Sequence, residues 1–157
     1  MQTAPAPLLQ PVGAGPPPSS VITLHAVGQA LRRRGKLELA IAHYRRALAQ
    51  QRSRPGVLHP HTPSTLSALG QLLAATGEHT AALEHLREAH ALKREHLGPN
   101  HLHTANALFE LGQALQAVTQ KQEALAAFAR ALPVQLKQLG PQHPRGAATQ
   151  RAIAGLL

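Results

Sequence analysis

Three glutamines, Gln29, Gln71 and Gln113, stand at a constant interval of 42 residues, each directly after a glycine. A primary amide both donates and accepts, so a row of amides at equal spacing can hydrogen-bond an extended peptide backbone without reading its side chains. Helical spacing puts His25, Arg32, Ser64, Ser67, Asn106, Phe109 and Gln116 on the same side as this ladder. The plainer reading is that Gln is a good helix former on a wetted face. Arg32, Arg33 and Arg34 form the densest basic run. They can clamp an acidic side chain or a terminal carboxylate, or merely complement the negative end of a helix dipole.

Other chemistries find less support. The chain has 11 histidines, and the pairs His59/His61 and His101/His103 invite a metal. No carboxylate flanks either pair, and two imidazoles alone make a poor site. The first histidine of each pair recurs with the linker that follows each repeat, which points to a turn or capping role. No metal is expected. There is no Gly-rich phosphate loop, no HExxH and no GxSxG. The seven acidic residues form no acid–base pair. The sequence therefore names no catalytic residue, no cofactor and no small-molecule substrate.

Charge and composition bound the partners. The net charge is +9, with Arg well above Lys. Nucleic acid is disfavoured as a partner because aromatics make up only 2 %, which leaves no stacking platform. A protein or peptide, acidic or presenting its C-terminus, suits the positive charge. The absence of cysteine excludes disulfides and thiolate sites, and fits a cytoplasmic setting. No apolar run approaches the roughly 20 residues of a membrane span. Met1 to Ser20 carries no basic residue and no unbroken apolar run, unlike a signal peptide.

The elements that position these side chains follow from the same interval. Residues 1–20 hold Pro5, Pro7, Pro11 and Pro16 to Pro18. They are expected to form a disordered tail, partly polyproline II. From residue 21 the register holds without insertion: Leu24, Leu66 and Leu108; Gly28, Gly70 and Gly112; Ala40, Ala82 and Ala124; Tyr44, Leu86 and Phe128; Ala47, Ala89 and Ala131. Each unit reads as helix, tight turn, helix, loop. The spacing predicts helices over 21–34, 37–52, 63–76, 79–96, 105–118 and 121–139, with Pro133 kinking or breaking the last. Ser20, Thr62 and Thr104 are expected N-caps. Gly35 and Gly77 are expected left-handed turn residues, with Thr119 strained in the same place. The units span about 21–62, 63–104 and 105–145, and 146–157 reads as a helix capping the stack. The glycines and Ala40, Ala82 and Ala124 are expected where paired helices approach closely.

The phrase Leu66-x-x-Leu69-Gly70-x-x-Leu73, followed by Ala82, Leu86 and Ala89, resembles a tetratricopeptide repeat. The long period and the linkers Leu97-Gly98-Pro99-Asn100-His101 and Leu139-Gly140-Pro141-Gln142-His143 are similar to the variant found in kinesin light chains and nephrocystin-like proteins. The resemblance implies an all-α solenoid of three repeats plus a capping helix. It implies a concave groove lined by the first helix of each unit that holds a peptide or partner protein, as an adaptor or scaffold. The paired asparagines of kinesin light chains are replaced here by His25-Ala26, Ser67-Ala68 and Phe109-Glu110. A second reading is self-association through the apolar end Ile153 to Leu157, giving a homo-oligomer.

Overall fold

The computed structural model describes residues 20–157. Seven helices follow in order: α1 (Val21–Arg33), α2 (Leu37–Gln51), α3 (Thr62–Ala75), α4 (His79–Leu97), α5 (Leu102–Ala117), α6 (Lys121–Leu139) and α7 (Pro144–Leu156). No strand occurs among the described residues. Each helix packs on its chain neighbours, and α3 also touches α5. The result is a superhelical stack of three hairpins followed by α7. No helix among the described residues is long and apolar enough to cross a membrane. The expected proline-rich tail lies outside the described residues apart from Ser20, whose Oγ accepts from the Thr23 N–H at 3.2 Å and caps α1.

Each hairpin closes where a glycine meets a large side chain. Gly28 faces Tyr44, Gly70 faces Leu86, and Gly112 faces Phe128. A Cβ on Gly70 would stand 2.6 Å from Leu86 Cγ, and one on Gly112 would stand 2.7 Å from Phe128 Cε1. Carbon atoms do not approach so closely, so any side chain there pushes the two helices apart. Ala40, Ala82 and Ala124 are fully buried as expected. The space over each glycine, however, is filled by the bulky residue one turn further on. At Gly70 the backbone carbonyl of Ala82 also approaches, at 3.3 Å.

The turns follow the sequence closely. Gly35 and Gly77 have φ of 72° and 89°, and Thr119 takes the same left-handed conformation at 63°. Two hydrogen bonds hold it there: the Thr119 N–H donates to Gln116 O (3.0 Å) and the Gln120 N–H to Leu115 O (2.9 Å).

The helix starts are where the expectation needs correcting. α5 and α7 begin at Leu102 and Pro144, not at 105 and 146. The cap is the linker histidine. His101 Nδ1 accepts from the His103 N–H, and His143 Nδ1 from the Arg145 N–H, both at 3.1 Å. His59 makes the same bond to the His61 N–H before α3. An imidazole nitrogen thus does what a capping hydroxyl does elsewhere. Thr62 and Thr104 lie inside their helices, buried, with no hydrogen-bond partner for Oγ1.

Pro133 does not break α6, which is continuous from Lys121 to Leu139. Both Pro133 and Ala129, whose carbonyl loses its partner, lie on the exposed face, where water can satisfy that carbonyl. At the end of the stack, Ile153 and Leu156 pack inward against the cluster that holds Leu111, Leu115 and Phe128. The expected apolar edge is therefore largely used within the chain, and of its large residues only Leu157 is fully exposed.

Candidate functional site

The odd-numbered helices bring four of the sequence candidates to one place. Arg32 in α1 donates from Nη2 to Gln71 Oε1 in α3 at 2.8 Å. Arg32, Gln71, Phe109 and Gln113 then line a cavity of about 550 Å3, together with Glu110 and, from α7, Arg145. The Phe109 ring rests against Phe128 at a centroid distance of 5.6 Å, which fixes its place in the wall. The site is mixed in charge, with a guanidinium from α1, another from α7 and a carboxylate between them. Glu110 Oε2 is buried without a hydrogen-bond partner.

The remaining candidates are placed otherwise. The glutamine ladder has two rungs in the cavity, because Gln29 is turned to His25, with its Nε2 3.1 Å from His25 Nε2. His25 Nδ1 lies 3.3 Å from Thr65 Oγ1. The Thr65 hydroxyl donates to His61 O, so it must accept from His25. The imidazole therefore carries its proton on Nδ1 and accepts from the Gln29 amide on Nε2. Burial, and secondarily His61, lowers the His25 pKa.

Ser67 is buried and accepts from Lys93 Nζ at 2.8 Å. Burial depresses the Lys93 pKa, partly opposed by the Glu110 carboxylate. Asn106 Oδ1 accepts from Gln135 Nε2 at 3.5 Å. Ser64 lines a second cavity, with Lys93 and Leu97. Arg33 and Gln116 are exposed and line neither cavity.

Two groove residues were missed for identifiable reasons. Arg145 looks like loop until His143 is seen to cap α7, which places it in the first turn of a helix. Glu110 differs in type from its repeat equivalents Ala26 and Ala68, and this departure was its only signal. A buried polar seam was also missed. Gln51 Nε2 donates to Thr65 Oγ1 at 3.0 Å, and 84 residues later Thr149 Oγ1 donates to Gln135 Oε1 at 2.6 Å. Among the described residues no group of three or more His, Asp or Glu is placed to hold a metal.

Comparison with known proteins agrees with this architecture. The profile described as tetratricopeptide repeat matches residues 19–95 and 77–137. No curated protein sequence matches the chain. Among solved structures it is similar to the nearly identical TPR-like repeats ascribed to a kinesin light chain of Podosopora anserina. That match has a TM-score of 0.77 and 25% identity, and covers 90% of this chain and 67% of that one. It is similar in fold to BtubC of P. vanneervenii, with a TM-score of 0.71 and 19% identity over 87% of this chain and 54% of that one. A third similar structure is the first TPR of Spaghetti bound to an HSP90 peptide, with a TM-score of 0.64 and 18% identity over 91% and 97%. The chain thus spans about two thirds of the first of these structures and about half of the second. With matched repeats from residue 19 to residue 137, the chain belongs to the tetratricopeptide repeat family.

Proposed function

We propose that the chain is a protein-interaction module, not an enzyme, that holds an extended peptide of a partner protein in the groove over α1, α3, α5 and α7. The observation that carries this reading is the single cavity shared by Arg32, Gln71, Gln113 and Arg145. Gln71 and Gln113 supply paired donors and acceptors for a peptide backbone. Arg32 and Arg145 favour an acidic side chain or a C-terminal carboxylate, which a guanidinium binds through charge-assisted hydrogen bonds. A cytoplasmic setting suits a chain without cysteine.

The peptide SRMEEVD, which the Spaghetti repeat binds in its own structure, is an available acidic probe. Calorimetry should show micromolar binding to this chain, weakened by amidating the peptide's C-terminus. The double variant Gln71→Ala with Arg32→Glu should abolish it. Undiminished affinity in the double variant would remove the groove assignment.

A further inference from the structure

The polar seam that recurs at both ends of the stack is broken in the middle. Gln51 meets Thr65, and Gln135 meets Thr149; at the corresponding midpoint stand Lys93 and Ala107. Alanine offers no hydroxyl, so Lys93 reaches instead to Ser67 Oγ in α3. An ammonium has three donors. Ser67 is its one hydrogen-bond partner among the described residues, and no carboxylate among them pairs with it within 4.0 Å.

Lys93 also lines a cavity of about 400 Å3, enclosed by the loop entering α3, the last turns of α4 and the start of α5. Leu58, Leu92 and Leu97 form apolar wall, and no acidic residue lines the cavity. Leu58 and Leu97 are 40 % and 45 % exposed, so the apolar wall continues to an open rim. Ser64 and Ser67 lie one turn apart on the same side of α3 as Gln71. The cavity therefore adjoins the first turns of that side, and the groove its last.

We infer that this cavity is a second binding site, for a monocarboxylate carrying an apolar chain, with the carboxylate on Lys93 and the chain along Leu58, Leu92 and Leu97. One partner-poor cation beside an apolar wall matches one anionic head on an apolar chain. The volume lies in the ordinary range of small-ligand sites. Desolvation disfavours the charged amine of Lys93, the Glu110 carboxylate offsets this only in part, and an incoming carboxylate relieves more of the penalty.

The test is calorimetry of the full chain with octanoate, octanol and octylamine as probes. Octanoate should bind, with the other two about tenfold weaker or worse, because only it places a charged acceptor on the ammonium. Lys93→Met keeps an apolar stem and should weaken octanoate about tenfold, while Lys93→Arg retains most of the affinity. Leu97→Asp, at the exposed rim, should also weaken it, with circular dichroism confirming the fold of each variant. Arg32→Glu should leave octanoate binding unchanged, which separates this cavity from the peptide groove. The site is overturned if octanoate and octanol bind alike, if Lys93→Met binds octanoate undiminished, or if octanoate gives no binding at millimolar concentration.

Discussion

His25, His85 and His90 share one property: burial is the leading cause of a lowered pKa in each. Arg52 and Arg45 reinforce the effect at His85, against Glu88 and Glu84, and Arg130, Arg94 and Lys93 reinforce it at His90. The folded protein thus resists protonating them, while the unfolded chain takes up protons near the ordinary value of about 6.5. Where the unfolded state binds more protons, stability rises with pH. Stability should therefore be full above about pH 7 and fall as pH drops through about 6.5, levelling off below the folded-state values. Urea unfolding across this range should show the loss, and His25→Gln, which keeps a donor and an acceptor but does not titrate, should shallow it. A midpoint that is flat or rises toward acid would contradict the assignment. None of this was legible in the sequence, because a histidine that bonds a neighbouring turn and one that faces water are the same letter. The packing glycines were legible, because steric exclusion at the Gly70–Leu86 contact admits one residue type and so writes itself into every unit.

At the scale of elements, turns read better than helix starts. A left-handed residue after the first helix of each unit is demanded by the hairpin, so Gly35, Gly77 and Thr119 could be placed by register alone. Helix starts depend on which side chain happens to reach the first free N–H. Hydroxyl caps were expected, and imidazoles at His101 and His143 took the role, moving two helices two or three residues earlier. That shift is what brought Arg145 into the groove. The strained turn at Thr119 carries a cost of roughly 1 kcal/mol relative to glycine. Thr119→Gly should therefore raise the unfolding free energy by up to about that amount, reduced by the greater flexibility of the unfolded glycine chain. Its Oγ1 bonds only to Val118 O, so no tertiary contact is lost. Chemical denaturation checks this, and a destabilised Thr119→Gly would show that the threonine is held by something other than its turn.

Across the whole molecule, a stack covers each unit with the one before it. Leu69 and Leu72 of α3 are buried, as are Leu111 and Ala114 of α5. Their equivalents in α1, Val27 and Ala30, are exposed, Val27 to 38 %. All six residues are apolar, so sequence gives no sign of this difference; only position in the array decides it. Surface ion pairs run between successive units as well, Arg52 to Glu88 at 2.6 Å and Arg87 to Glu123 at 3.4 Å. Both are well exposed, and each contributes on the order of 1 kcal/mol or less. The apolar contacts between units must then carry the cohesion. A charge placed at corresponding positions should separate the two environments. Val27→Glu should change the unfolding free energy by no more than about 0.5 kcal/mol, as ordinary surface substitutions do. Leu69→Glu should cost more than about 3 kcal/mol, because it strands an unpaired carboxylate in the core and removes packing from two helices at once. Urea titrations of both variants decide the matter. If Val27→Glu were as damaging as Leu69→Glu, α1 would be covered in solution, and light scattering of the parent chain should then reveal a second copy seated on it.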